Sequence, residues 1–400
     1  MKKHLPSGWK EFALKDIGNF LRGSGISKKD LSDTGIPAIR YGDIYTKYDF
    51  VIKNVSSFTN SKGTELKKGD ILFAGSGETA EEIGKSVAFI DDYKAFAGGD
   101  IIIFRPNIDL NSLFLSYILN SGKCRKDISI MGQGHTVVHI YASSLEILKV
   151  ILPPLDEQKR IADILSTFDD LIENLNKLIE KKEIYKKGIM QRVLSGEVRF
   201  NGFTDEWETV KLKEIGKLIS GSGFPIKYQG KKSGEIAFIK VSDMNLKDNS
   251  IFIKNANNYI NENELKELKA KIIPIGSIVF AKIGEAIKLE RKRIISIKTC
   301  IDNNMSALVP LDNFNKKYIF YLLNNYKLSK HLNFSALPSL NMSDISEIEF
   351  NIPSLEEQNK IAELLTLIDK DIDNLKQLLH LRKLQKKGVM QKLLTGEVRV

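Results

Sequence analysis

The side chains of this chain best suited to chemistry are bases, amides and hydroxyls set in loops between apolar runs. In the first half these are Ser24, Lys28, Lys29, Arg40, Lys85, Gln133, His135 and Thr136. In the second half they are Ser222, Lys227, Lys240, Lys282, Arg291, Arg293, Asn304, Ser339 and Asn341, with Lys231, Lys232, Lys288, Asn303 and Ser335 in the same loops. Lys and Arg neutralise phosphates, while Asn, Gln, Ser and Arg carry the donors and acceptors that match base edges in a groove. A charge run is also the ordinary composition of a solvated face, so these residues are candidates for nucleic-acid contact rather than a code.

Motifs for covalent or cofactor chemistry fail on spacing. Gly84-Lys85-Ser86 ends like a phosphate-binding loop, but the position five before Gly84 is Thr79 where that loop requires Gly. Gly75-Ser76-Gly77 with Ala80 lacks an acidic partner some 20 residues on in a strand-helix-strand unit. His135 and His139 in GQGHTVVHI have no third ligand nearby, which favours a polar turn over a metal site. Pro153-Pro154 lies between Leu152 and Leu155, so the (N/D)PP(Y/F) motif of an amino-methyltransferase is absent. The Glu180 to Lys182 string sits on a predicted helix and not on a strand with a second carboxylate, which argues against a nuclease.

Composition sets the frame for those loops. The 400 residues are 42% hydrophobic and 28% charged, values of an ordinary globular protein. No apolar run of about 18 residues exists to span a membrane, and the N-terminus has no apolar segment behind its lysines, so a cytoplasmic location is expected. Cys124 and Cys300 are far apart and support neither a disulfide framework nor a zinc site. The net charge of +10 is shared by both halves and agrees with a polyanionic partner.

The elements that position the loops are written twice. LPPLDEQKRIADILSTFDDLIENLNKLIEKKEIYKKGIMQRVLSGEVRF (152–200) and IPSLEEQNKIAELLTLIDKDIDNLKQLLHLRKLQKKGVMQKLLTGEVRV (352–400) align without a gap, roughly four in ten positions being identical. Upstream, IPAIRYGDI (36–44) matches IAFIKVSDM (236–244), and KKGDILFAGSGET matches PIGSIVFAKIGEA. The framework repeats and the loops between do not, as expected of one scaffold carrying two sets of ligand contacts. In the first copy, the runs at 36–44, 69–75, 86–90 and 98–106 are β-branched, short and bounded by Gly or Asp, which predicts strands. Gly23-Ser24-Gly25 predicts a loop, Leu110 to Asn120 a helix, and LEILKVILPP a return to strand. The expected division is 1–152 and 201–352 as two similar α+β domains, with 153–200 and 353–400 as helical regions.

Both helical regions begin after a proline stop with carboxylates in the first turn, and Ser354 with Glu357 spells a capping box. Ile161, Leu165, Phe168, Ile172, Leu175 and Ile179 step by four and three, as do Ile361, Leu365, Ile368, Ile372, Leu375 and Leu379. That seam predicts a coiled coil. From Leu155 to Lys187 such a helix would run about 50 Å, with Gly188 and Gly388 expected to break it before a short second helix. If the seams pack together, chain order makes the helices antiparallel with one domain at each end, a dumbbell of approximate two-fold symmetry.

At these residues the chain resembles a known family. Two variable domains, each followed by a helix that opens PLDEQKRIADIL or SLEEQNKIAELL and closes MQRVLSGEVR or MQKLLTGEVR, look like the specificity subunit of type I restriction-modification systems. The resemblance covers nearly the whole chain. It implies an α+β fold in which two similar α/β target recognition domains are joined by two long antiparallel coiled-coil helices with pseudo-two-fold symmetry. It also implies that each domain reads one half of a gapped, asymmetric double-stranded DNA site, and that the helices dock two methyltransferase subunits, to which restriction/translocase subunits add. The chain itself would then be non-catalytic and hold no cofactor, with S-adenosylmethionine, ATP and Mg on its partners.

Overall fold

The computed structural model describes residues 5–333 and 337–400, so the loop candidate Ser335 lies outside the described residues. It is a mixed helix-and-sheet fold that divides into two units. The first comprises the chain up to Asn176 together with Gln377–Val400, and the second is Lys177–Lys376.

The first unit is built on an antiparallel sheet in the order Gly18–Arg22, Ile101–Pro106, Ile71–Ala74, Ser86–Ala88. The central strands Ile71–Ala74 and Ile101–Pro106 carry continuous apolar runs because both faces are covered there, whereas the edge strand Gly18–Arg22 is partly exposed. Phe73, Ile102 and Phe104 face the helix Ser112–Leu119 and a core that includes Ile161, Leu165 and Leu393. Leu72, Ala74, Ile101 and Ile103 alternate to the other face and pack on Ile39, Ile44 and Phe89. A smaller sheet, Leu31–Ser32, Phe58–Thr59, Ile36–Ile39, Phe96–Ala97, Thr64–Glu65, lies among these elements. Lys10–Ala13 pairs antiparallel with Lys149–Leu152, so the start of the domain is tied to the strand that leads into the long helix.

The second unit repeats this plan with altered edges. Its main sheet runs Gly216–Ser220, Met305–Pro310, Ile278–Ala281, Lys292–Ile295, Phe252–Ile253, and a three-stranded sheet joins Tyr259–Ile260, Ile236–Ile239 and Thr299–Ile301. Glu208–Lys211 pairs with Glu349–Ile352, the counterpart of the first unit's closing strands.

Three expectations are corrected. The run 36–44 is a strand only to Ile39, after which Tyr41–Thr46 is helical, and 236–244 likewise turns into a 3-10 helix at Val241–Asn245. The cause is local: Asp43 and Asp243 accept hydrogen bonds from the backbone N–H of Arg40 (3.0 Å) and Lys240 (2.8 Å), which starts a helical turn. A second helix, Gly122–Ile130, follows the predicted one, and its apolar pattern is too sparse to have announced it. Finally, Leu155–Leu194 and Leu355–Leu394 are each one helix of 40 residues, unbroken at Gly188 and Gly388. A glycine within a helix costs only about 1 kcal/mol relative to alanine, too little to stop a helix packed along its length. The stop comes at Gly196 (φ 75°) and Gly396 (φ 69°), where a left-handed residue ends the last turn.

Each unit contains the start of one long helix and the end of the other, running antiparallel. In the first unit Glu157 meets Arg399 and Asp169 meets Lys386; in the second Glu357 meets Arg199, Asp369 meets Lys186 and Asp371 meets Lys182. The seam is divided in function. Ile161, Leu165, Ile361 and Leu365 are fully buried in the domain cores, whereas Leu175, Ile179 and Ile372 are buried farther along the helices. Phe168, Ile172, Ile368, Leu375 and Leu379 are half-buried. The capping box is half-formed: Glu357 N–H donates to Ser354 Oγ at 3.4 Å, but the Glu357 carboxylate is turned to Arg199 instead.

Candidate nucleic-acid interface

Four segments meet at the same place in each unit. In the first, Gly23 N–H donates to Ile101 O (2.8 Å), Gly75 N–H to Asp100 O (2.7 Å), and Ile140 N–H to Gly75 O (3.0 Å). In the second, Gly221 N–H donates to Met305 O (3.1 Å), Lys282 N–H to Asn304 O (2.8 Å), and Leu340 N–H to Lys282 O (2.9 Å). The main-chain scaffold is shared, and the side chains it presents differ.

In the first unit the meeting point is a groove of about 570 Å³. Arg22, Ser76, Asp100, His139 and Tyr141 line it. His139 Nδ1 and Ser76 Oγ are 2.9 Å apart, because the strands Ser76–Gly77 and Val138–His139 pair. Beyond that pair the turn carrying Gln133, His135 and Thr136 is closed by mutual backbone hydrogen bonds between Gln133 and His139, which leaves all three side chains exposed. The turn that carries these three candidates is thus joined to the groove through His139.

In the second unit the same framework gathers Lys282, Asn304, Ser339 and Asn341. Lys282 occupies the position of Gly75, and Ile283 forms a bridge with Ser339. Burial holds the Lys282 ammonium below its usual range, and Asp302 pulls it back up. Asn341 caps the short helix Met342–Ser346 by accepting from Ser343 N–H at 3.0 Å. Ser222 bridges to Asp302 beside them.

The remaining candidates separate into presented and engaged side chains. Lys28 and Lys29 are exposed on a 3-10 turn fixed by Ser27 and Asp30, whose Oγ and Oδ2 are 2.6 Å apart. Ser24 Oγ lies 3.0 Å from Thr64 Oγ1, and Lys227 is exposed over the Tyr228 ring at 4.5 Å. Arg40 stands beside Asp43 at 3.7 Å, and Lys240 donates to Gln229 Oε1 at 3.0 Å. Lys85 is turned inward to Tyr48 O (2.5 Å), with burial lowering its pKa. Arg293 is occupied by the backbone carbonyls of Asn249, Lys292 (2.7 Å) and Met244 (3.1 Å), and Arg291 is half-buried beside it. Lys85 and Arg293 thus act inside the fold.

Sequence reasoning missed Arg22, Asp100 and Tyr141. Arg22 directly precedes the Gly23-Ser24-Gly25 loop, which was a usable signal; Asp100 and Tyr141 carry none, since only the tertiary meeting of strands joins them. It also missed the clasp in the repeated motifs. Glu157, 4% exposed, accepts from Arg399 Nε (2.6 Å) and Nη2 (2.8 Å), and Glu357 accepts from Arg199 Nε (3.0 Å) and Nη2 (2.8 Å). Beside it, Gln158 accepts from Asn111 N–H and donates to Pro153 O, both at 2.9 Å, and Gln358 does the same with Asn315 and Pro353. The EQ and GEVR strings are structural: they bind helix to helix and helix to domain.

A family model described as the type I restriction modification DNA specificity domain matches the chain twice, over residues 6–183 and 204–381. A putative type I restriction enzyme MjaX specificity subunit of Methanocaldococcus jannaschii is 29% identical, covering 99% of this chain and 95% of that protein. The MjaVIII specificity subunit of the same organism is 28% identical over 99% and 94%. A crystal structure of a type I restriction-modification system S subunit from M. genitalium superposes with a TM-score of 0.62 at 18% identity, covering 98% of each chain. A chain from a structure of type I R-M complex assembly and conformational transition gives 0.58 at 15% identity, covering 99% and 100%. At such identities these two establish a shared fold.

Proposed function

The chain belongs to the type I restriction-modification DNA specificity family, and from that premise we propose that it is the sequence-reading subunit of such a complex, each unit reading one half of a gapped, asymmetric DNA site. The observation that carries this reading is the pair of equivalent surfaces with unlike side chains. One offers Arg22, Ser76, His139 and Tyr141 around a groove, and the other Lys282, Asn304, Ser339 and Asn341. A common backbone with two chemistries suits two different half-sites.

Phosphate contacts would come from exposed bases such as Lys28, Lys29 and Lys227, and would make binding fall steeply with salt. Each 40-residue helix measures about 60 Å at 1.5 Å per residue, against about 34 Å per turn of B-DNA, so the unread gap is set by helix length. Apolar side chains remain exposed on the helices, among them Leu171, Leu381 and Leu384 in the first unit and Ile184, Tyr185 and Leu367 in the second. Ile184 and Leu384 are equivalent positions, 66% and 53% exposed, which suits docking of two like methyltransferase subunits. Restriction subunits add to that complex, and the methyl donor, ATP and Mg belong to the partners, as does the flipping of the target base. No helix among the described residues is long and apolar enough to cross a membrane.

The deciding experiment is to assemble the full chain with its methyltransferase subunits and map methylated positions in genomic DNA. A single two-part motif with a fixed gap is expected, with no methyl transfer or cleavage by the isolated chain. Activity of the chain alone, or methylation without a two-part motif, contradicts the proposal.

A further inference from the structure

The groove of the first unit has a donor and acceptor pattern of its own. We infer that it reads a G·C base pair in the major groove, with Arg22 on guanine and Asp100 on cytosine. This rests on the proposed function and adds the identity of one base pair and the residues that select it.

Arg22 ends the strand Gly18–Arg22, and Asp100 directly precedes the paired strand Ile101–Pro106, in which Ile102 lies opposite Arg22. Both side chains are exposed and line the same groove, and neither has an ion-pair partner among the described residues. Two unlike charges on one groove, each without an ion-pair partner among the described residues, suit a ligand that needs both. In the major groove guanine presents two acceptors, N7 and O6, matched by a guanidinium fork, and cytosine presents one donor, the N4 amine, matched by a carboxylate. An A·T pair offers its donor and acceptors in a different order, and an isolated phosphate has no use for the carboxylate.

The surroundings favour a base edge over the backbone. The approach is open because Gly75 lies where the second unit has Lys282, and a Cβ on Gly75 would stand 2.8 Å from Asp100 O. Asp100 is held in the left-handed region (φ 57°), and its carbonyl is fixed by Gly75 N–H, so the carboxylate is directed by a rigid turn. Tyr141, 53% exposed, supplies an apolar wall for the neighbouring base. His139, with Nδ1 engaged by Ser76, offers its other ring nitrogen to the groove.

The test uses the full chain assembled with its methyltransferase subunits and a duplex pool randomised at both half-sites. The wild-type complex must first show a two-part preference; if it shows none, the proposed function fails rather than this assignment. Arg22→Ala is expected to relax one G·C position in one half-site by on the order of 10- to 100-fold, leaving the other half-site and the gap unchanged. Asp100→Asn, which tolerates the left-handed turn, should relax the same base pair, and Arg22→Lys should retain part of the preference for guanine. Uniform weakening across all sequences by Arg22→Ala, or relaxation of two different base pairs by the two variants, overturns the assignment.

Discussion

Glu157 and Arg399 lie 242 positions apart in the chain, and their side chains form a two-point ion pair at 2.6 and 2.8 Å. The same pair recurs as Arg199 with Glu357, and Glu357 also accepts a hydrogen bond from Trp207 Nε1 at 3.2 Å. A single copy of the repeat cannot close either clasp, because its acid and its base sit at opposite ends of a helix about 60 Å long. Head-to-tail pairing of the two copies is therefore a requirement of the motif and not an accident of folding.

Arg399→Ala is expected to destabilise the first unit, since it strands a buried carboxylate, with part of the loss recovered because the Arg399 side chain is 44% exposed. Trp9 belongs to the first unit and Trp207 to the second, so fluorescence of single-tryptophan variants in a urea titration separates the units. A midpoint shift confined to the Trp9 signal is the expected result; an unchanged midpoint would remove the clasp from the stability of the fold.

Asp169 and Asp369 are equivalent, but their environments are not. Each accepts from a tyrosine, Tyr117 Oη at 2.5 Å and Tyr321 Oη at 2.7 Å, but the Lys386 side chain on Asp169 is 9% exposed and the Lys186 side chain on Asp369 is 26% exposed. Removing the acid leaves a buried ammonium in the first case and a partly solvated one in the second. Asp169→Ala should thus cost about 3 kcal/mol and Asp369→Ala about half as much. The same two-probe titration measures both, and equal losses would contradict the argument from burial.

Glycines of the long helices make opposite predictions. Nothing lies within 4 Å of a Cβ built on Gly188, and the residue is helical, so Gly188→Ala should stabilise by about 0.5–1 kcal/mol. Gly196 has φ 75°, and Gly196→Ala should destabilise by about 1 kcal/mol. Thermal unfolding of the two variants checks the pair of signs.

The acid limb of stability has a marker in Glu347, whose carboxyl is lowered to about 2 from 4.5 by hydrogen bonds from Lys211 and then Lys213. A depressed carboxylate adds stability that is complete above its ordinary pKa and disappears as pH falls through the folded value. The Tm difference between wild type and Glu347→Gln should therefore be constant above about pH 5 and vanish near pH 2. A difference that persists at pH 2 would mean that the charge on Glu347 is not the cause.

The framework was legible in the sequence where one physical signal dominated. The apolar strands at 71–74 and 101–106, the helix after Asn111 and the two long helices all follow from period and punctuation. Gly188 misled because propensity is a small term beside packing, and Ile161 and Leu165 look like coiled-coil positions although they fill a domain core. The candidate surface was half legible. Lys282, Asn304, Ser339 and Asn341 stand in loops of evident polarity, but their convergence depends on two long-range hydrogen bonds that no local pattern encodes. Arg293 shows the reverse: its type suggests DNA, and only the fold reveals that its guanidinium is occupied by carbonyls.

The helices act as a ruler only if their length and the two surfaces are independent, and this can be tested directly. Exchanging residues 8–151 for another variable domain leaves Glu157 with Arg399 and Asp169 with Lys386 in place, so the exchanged chain should assemble and change one half of the methylated motif alone. Inserting two helical turns, seven residues, at equivalent exposed positions in both long helices adds about 10 Å, or about three base pairs of B-DNA. Both halves of the motif should then be retained and the gap should lengthen by about that amount. A changed half-site with an unchanged gap would transfer the spacing function from the helices to the domains.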